Sequence, residues 1–287
     1  MNSQNTISDG REKNTSFVTP NDIINNLYLD KNYCLFLDID GTLAPFQMNP
    51  EHSFIPQTTL EVIKKITKLN IPVIAVTGRD VDTARKLLHP IEVPIEVPIA
   101  GLHGLDIYFD SGNYIRPDLS SINFKKLKQD ILKNCEKYPE LLIEDKGYSI
   151  ALHYRKNPNL ENNAINIMQQ INLNYPHLKI NRGKFVIELI PNQADKGRAI
   201  ETILNHLNLP CVLPIFIGDD LTDESGFTYI NQQAGLSIKV GPGETQAKYR
   251  LKDIDSVADF LLLFQNKIKS LYVKNSQNQN GEKLCLN

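Results

Sequence analysis

Long apolar runs, paired cysteines and a dominant charge are all missing from this chain. No apolar stretch approaches the ~20 residues that a helix needs to span a bilayer. The four cysteines, Cys34, Cys135, Cys211 and Cys285, show no short paired spacing. That argues against a zinc site or a disulfide framework and for reduced thiols in a cytoplasmic protein. Lys and Arg number 31 against 33 Asp and Glu, a formal net charge of −2. Neither nucleic acid nor an anionic membrane is therefore an expected partner, and a monomer is expected. Met1 to Pro20 is polar and lacks the apolar segment of a secretory signal. No internal repeat is found. What remains is ordinary for a globular chain of 287 residues: 41% apolar, 22% charged, enough for one large domain or two small ones.

The organising stretch is Cys34-Leu35-Phe36-Leu37-Asp38-Ile39-Asp40-Gly41-Thr42-Leu43. Its unbroken apolar start suits a strand buried on both faces of a parallel sheet. Ligands in such sheets sit beyond the carboxyl ends of the strands, where Asp38 and Asp40 stand. Alternation puts both carboxylates on one face. Two anions so close repel unless a cation lies between them, and Mg²⁺ would hold Asp38 ionised as an oxygen ligand. Asp40, if free to take up a proton, could serve as acid and base. The plainer alternative is a strand end whose aspartates cap a turn.

Along the chain, residues 1–20 are rich in Asn, Ser and Thr without periodicity and read as disordered; 21–30 suit a short helix. Pro45, Pro50 and Pro56 keep the segment after the first strand irregular. Leu60, Ile63, Ile66 and Leu69 mark a helix over 57–70, and 72–76 a strand ending at Thr77-Gly78-Arg79. Asp80 caps the next helix. A Pro-broken third strand runs from Ile91 to Ala100 and ends at Gly101-Leu102-His103-Gly104. From 105 to 190 the order changes to hairpin, helix, two extended pieces, helix and hairpin, with turns expected at Asp110-Ser111-Gly112-Asn113 and Asn181-Arg182-Gly183. This is α+β order and reads as a separate small domain. Helix Lys196–Leu207, strand Val212–Ile217 ending at Gly218-Asp219-Asp220, a helix from about Asp223, strand Leu236–Val240 and a helix over 255–266 restore the alternation. Residues 275–287 read as loose. The boundaries expected are 1–30 for the tail and lead-in, 31–116 and 192–267 for the two parts of the core, 117–191 for the inserted domain and 268–287 for the C-terminal tail.

Separate strand ends thus carry carboxylates for a hard cation, with the Thr77 hydroxyl and Lys196 ammonium for phosphate oxygens. Alternatives stay open for several residues. Thr77 could cap the helix entered at Asp80. Lys196 could be an exposed lysine, although a cation is disfavoured at a helix start. Asp220 and Asp223 could orient ligands or cap the following helix, His103 could be structural or a pocket wall, and Arg79 could pair with a carboxylate.

Asp38-Ile39-Asp40-Gly41-Thr42, Thr77-Gly78-Arg79, Lys196 and Gly218-Asp219-Asp220 resemble the four ordered motifs of the haloacid-dehalogenase phosphatase superfamily. The insertion between the second and third motifs falls where that superfamily carries its type-2 cap. Gly101-Leu102-His103-Gly104, Glu144-Asp145-Lys146-Gly147, Gly218-Asp219-Asp220-Leu221-Thr222-Asp223-Glu224 and Thr245-Gln246-Ala247-Lys248-Tyr249-Arg250-Leu251 resemble trehalose-6-phosphate phosphatases in particular, over about residues 31 to 266. The resemblance implies an α/β fold: a Rossmann-like parallel-sheet core with an inserted α+β cap. It implies Mg²⁺-dependent hydrolysis of trehalose 6-phosphate to trehalose and phosphate. In that scheme Asp38 forms an aspartyl-phosphate, Asp40 is acid and base, and Thr77 and Lys196 bind phosphoryl oxygens. The metal ligands would be the Asp38 side chain, the Asp40 carbonyl and Asp219, with Asp220 and Asp223 behind them. Substrate contacts would come from Asp38, Asp40, Thr77, Gly78, Arg79, His103, Glu144, Lys146, Lys184 and Glu188, with His153 and Arg155 as further cap candidates. Where the family often carries a basic residue after the Glu188 strand, this chain has Ile190-Pro191. Rival readings are another sugar-phosphate phosphatase of the superfamily, such as one acting on sucrose phosphate, and a non-catalytic sugar-phosphate sensor.

Overall fold

A computed structural model describes residues 16–28, 31–47, 50–90, 93–110, 113–208 and 212–284. The expectations for residues 1–15 and 285–287, and for the two central residues of the 110–113 turn, lie outside them, as do Cys211 and Cys285. After the short helix α1 (Pro20–Asn25), β1 (Asn32–Leu37) forms the middle of an eight-stranded sheet. Tyr33, Leu35 and Leu37 pack on one side and Cys34 and Phe36 on the other. Both faces are covered, which is why no polar residue interrupts the run.

From β1 the chain winds outward through α2 (Gln57–Thr67), β2 (Val73–Val76), α3 (Val81–Leu88) and β3 (Ile99–Gly101). The antiparallel pair β4 (Asp106–Asp110) and β5 (Asn113–Ile115) closes that edge. The chain then leaves the core for α4 (Phe124–Cys135), β6 (Leu142–Asp145), β7 (Ile150–His153), α5 (Glu161–Asn172), β8 (Leu178–Gly183) and β9 (Val186–Pro191). It returns with α6 (Lys196–Leu207), β10 (Val212–Gly218), α7 (Glu224–Gln232), β11 (Leu236–Val240), β12 (Tyr249–Leu251) and α8 (Ile254–Leu284).

The core sheet runs β12-β11-β10-β1-β2-β3-β4-β5, parallel as far as β3. Successive strands move away from β1 in opposite directions, so β1 and β10 flank a topological switch point, the usual place for a ligand. Apolar stripes on α2, α3 and α8 cover one face of this sheet, and those on α6 and α7 the other. The inserted sheet, β6-β7-β9-β8, is antiparallel. Ile150, Leu152, Ile187 and Leu189 bury one of its faces under Leu127, Ile131, Met168 and Ile171 of α4 and α5.

Four sequence expectations need correction. Of the third strand, whose expected first two residues lie outside the described ones, only Ile99–Gly101 pairs, because Pro94 and Pro98 have no N–H to give to a ladder. The second hairpin turns at Lys184-Phe185 and not at Asn181-Arg182-Gly183, with Phe185 at φ 61°, so Asn181 to Gly183 pair within β8 and Lys184 sits in the turn. An additional short strand, β12, extends the sheet. No proline interrupts 254–284, and α8 continues to Leu284 through a stretch expected to be loose. Among the described residues no helix is long and apolar enough to cross a membrane.

Candidate active site

The ends of β1, β2, β10 and β11 and the first turn of α6 surround a cleft of about 650 Å³ roofed by the polar face of the inserted sheet. Asp38 is 5% exposed and Lys196 2% exposed. The Lys196 ammonium donates to Asp38 Oδ1 at 2.9 Å and to Asp223 Oδ1 at 2.6 Å. A cation at a helix start is thus held by two carboxylates, while Asp195 caps the helix through the Arg198 N–H at 2.9 Å. Asp223 is fully buried, and its Oδ2 accepts from the Asp220 N–H at 2.9 Å. Asp220 itself caps the 3-10 turn over Leu221–Asp223. Thr77 is 1% exposed and accepts from the Arg79 N–H at 3.2 Å, whereas Asp80 caps α3. Arg79 grips Asp40 with Nε to Oδ2 at 2.6 Å and Nη2 to Oδ1 at 2.7 Å, and Ser53 Oγ donates to Asp40 Oδ1 at 3.1 Å.

Carboxylate oxygens of Asp38, Asp219 and Asp223 lie within 4.8 Å of one another. Burial pushes the Asp38 carboxyl well up against the pull of Lys196, with Asp223 and Asp219 adding repulsion. Burial, then Asp223 and Asp220, push Asp219 up to about 7. Three acids facing one another against the ammonium groups of Lys196 and Lys239 make a donor set short of positive charge. Hard oxygen donors of this kind fit Mg²⁺. Gly41 makes room for them: at φ 79°, a Cβ there would lie 2.0 Å from Asp219 Oδ2. Asp223 therefore joins the inner group, closer than the sequence reading placed it.

A stability prediction follows from Asp219. Its carboxyl is raised in the folded protein from an unfolded value near 3.8 to about 7. Its contribution therefore favours the fold at low pH and is lost as pH rises through that window. In metal-free protein this contribution should fall away from about pH 4 to about pH 7, and the Tm gain from Mg²⁺ should be larger at about pH 8 than at about pH 5. A thermal scan with chelator and with Mg²⁺ checks this, and a gain that does not change with pH would count against cation binding by this group.

The roof presents a cross-strand row. Glu144, Ala151, Glu188 and Asn181 are register partners across β6, β7, β9 and β8. Ala151 leaves room between the two acids. Glu188, 3% exposed, accepts from Ser149 Oγ at 2.6 Å and lies 3.1 Å from Lys146 Nζ and 3.3 Å from His103 Nε2. Burial alone would raise its pKa, but Lys146, His103 and Ser149 outweigh that and hold it far below the carboxylate range. Arg155 Nη2 meets His153 Nδ1 at 3.0 Å, so Nδ1 accepts and Nε2 is the ring's donor to Glu144 Oε2 at 2.7 Å.

His103 reaches the roof from the core. It adopts a left-handed backbone (φ 57°, ψ 34°), its N–H donates to the Thr77 carbonyl at 2.9 Å, and its ring packs where a Cβ on Gly78 would come within 2.6 Å. Further bridges are Lys146 Nζ to the Gly78 carbonyl at 3.4 Å, Arg155 Nη1 to the Gln47 carbonyl at 3.3 Å, and Lys184 Nζ over the Phe46 ring at 4.5 Å. Ile190, standing where a basic residue is common, is buried against Leu102, Leu105 and Ala194 at the root of the roof. The expected site residues thus line one cleft, Lys184 from a turn, except Asp223, which lies fully buried beneath it against Lys196. Sequence reasoning missed Asn181, Phe46 and Lys239, which also line it. A lysine within the strand Leu236–Val240 was the available signal for the last of these.

A parallel core whose strand ends converge on buried carboxylates beneath an inserted α+β roof defines a capped hydrolase of the haloacid-dehalogenase superfamily. The trehalose-phosphatase family model matches residues 36–255, and the chain belongs to that family. It is 31% identical to trehalose-6-phosphate phosphatase of Escherichia coli (strain K12) over 234 residues, covering 81% of this chain and 86% of that protein. A probable trehalose-phosphate phosphatase of Sinorhizobium fredii is 34% identical over 213 residues, 74% of this chain and 78% of the relative. Among solved structures, the C-terminal domain of C. albicans trehalose-6-phosphate phosphatase superposes with a TM-score of 0.75, covering 90% of this chain and 99% of that one; at 22% identity this likeness shows the fold.

Proposed function

We propose that this chain hydrolyses trehalose 6-phosphate to trehalose and inorganic phosphate in two steps at Asp38. The observation that carries the reading is a buried carboxylate at the end of the central strand, 2.9 Å from a buried lysine ammonium and two residues from a second carboxylate. Asp38 attacks phosphorus, the bond from phosphorus to the sugar oxygen breaks, and Asp40 gives that oxygen its proton. Asp40 then takes a proton from water as the water attacks the aspartyl-phosphate, which frees phosphate and restores Asp38. Splitting one displacement into two lowers each barrier. Arg79 holds both oxygens of Asp40 at the outset, so the carboxylate must turn out of the guanidinium fork to meet the sugar oxygen.

Thr77 and Lys196 meet the phosphoryl oxygens as charge develops. Asp38, Asp219 and the Asp40 carbonyl would hold Mg²⁺, which neutralises the acids and polarises the phosphoryl group when bound. Glu144, Lys146, Lys184 and Glu188 face the disaccharide, and the roof excludes water from the site.

Phosphate release from trehalose 6-phosphate is the test. Turnover with Mg²⁺ and its loss on chelation are expected. Comparable turnover of sucrose phosphate in the same panel would broaden the substrate, and no release from any sugar phosphate would leave the chain a sensor.

A further inference from the structure

Lys239 has no part in the scheme above, yet it is the second buried ammonium of the site. It is the penultimate residue of β11, pairs in register with Gly218 beside the Asp219 carboxylate, lines the cleft and is 5% exposed. Burying a lysine is costly unless its donors are satisfied. Its donors go to main-chain oxygens: it bonds the Asp219 carbonyl and, at 2.8 Å, the Val240 carbonyl. No carboxylate oxygen is among these partners. Just beyond, Arg250 fixes the Gly241 and Gly243 carbonyls, each at 2.6 Å. The end of β11 is therefore pinned, and Lys239 ties the Asp219 backbone to it.

The fit on the other side is close. A Cβ on Gly218 would lie 2.3 Å from the Asp223 carboxyl carbon, and one on Gly41 2.0 Å from Asp219 Oδ2. The carboxylate of Asp219 is closely backed on the Gly41 side, so a shift of its main chain changes how it faces Asp38. Mg²⁺ accepts only near-octahedral oxygen geometry at short distances and tolerates such shifts poorly.

We propose that Lys239 is a positioning residue for the cation: by clamping the Asp219 carbonyl to the end of β11 it sets the direction in which the Asp219 carboxylate meets Asp38. The inference rests on the cation site of the proposed function. It has a distinctive sign. If Lys239 acted only as a nearby positive charge, removing it would tighten binding of a divalent cation. As a clamp, removing it loosens binding, by about tenfold, the lower end for partners that orient metal ligands.

The experiment is calorimetric titration of substrate-free protein with Mg²⁺ alone, for the unaltered chain, Lys239→Met and Lys239→Arg. The methionine variant should raise the Kd about tenfold. The arginine variant keeps the charge but changes reach and shape, and should raise it about threefold or more. It also serves if the methionine variant does not fold. Tighter or unchanged binding in either variant overturns the clamp. A variant that loses phosphate release while binding Mg²⁺ normally would put Lys239 on the substrate and overturn it too. An unaltered chain that binds no Mg²⁺ removes the cation site itself, and with it both readings.

Discussion

Asp38→Asn is expected to lower phosphate release from trehalose 6-phosphate by about 10,000-fold or more at saturating Mg²⁺, the scale of losing a covalent nucleophile. The amide has the shape of the carboxylate but cannot form the aspartyl-phosphate. The fold should survive. Removing one partner of a buried ion pair is usually destabilising, because a charge is left alone. Here Lys196 keeps Asp223 at 2.6 Å, and the acid removed is one of three whose mutual repulsion adds to the burial that raises Asp38 and Asp219. In chelator the variant should therefore melt no lower than the unaltered protein, while the Tm gain from Mg²⁺ shrinks. Activity within tenfold of the unaltered chain would remove Asp38 from the role of nucleophile, and a collapsed Tm in chelator would show that Asp38 holds Lys196 in place more than it repels its neighbours.

The core of this site was legible because its chemistry sits at strand ends. A buried strand announces itself by an unbroken apolar run, and the first polar residue after it has to lie at the sheet's edge. That logic located Asp38, Thr77 and Asp219, and the oddity of a lysine opening a helix located Lys196. It works less well where polar residues belong to turns and loops. Asn181-Arg182-Gly183 has turn composition, yet the chain turns two residues later, so Asn181 enters the roof beside Glu188 and Lys184 falls in the turn. Asp223 reads locally as a helix-start acid. Only the docking of α6 against the turn after β10 turns it into the buried partner of Lys196. Phe46 and Lys184 meet across the cleft from 138 positions apart, beyond the reach of any periodicity. The roof's two faces follow from alternation along its strands. That the polar face turns towards the core is a property of docking.

That docking makes Glu188→Ala selective. Glu188 is more than a candidate sugar contact: it gathers Lys146 and Ser149 from the roof and His103 from the core around one buried carboxylate. In the proposed reading a disaccharide phosphate uses this region for its sugar, whereas a small aryl phosphate needs only the phosphoryl site below. Hydrogen bonds to a charged group contribute about 1.5–3 kcal/mol. Losing one, together with the bridge to His103, should lower kcat/KM for trehalose 6-phosphate by about 100-fold, at roughly tenfold per 1.4 kcal/mol. The loss on p-nitrophenyl phosphate should stay within about tenfold. The alanine also leaves the half-buried Lys146 ammonium with only the Gly78 carbonyl and the charge of Glu144, so a lower Tm accompanies it. Glu188→Gln separates the two effects. It keeps the volume and an acceptor for Ser149, and should recover most of the Tm without recovering turnover of the disaccharide phosphate. Equal losses on both substrates would instead make Glu188 a structural strut or place its action on the phosphoryl site. A glutamine variant with full activity on trehalose 6-phosphate would show that the charge has no part in recognising the sugar.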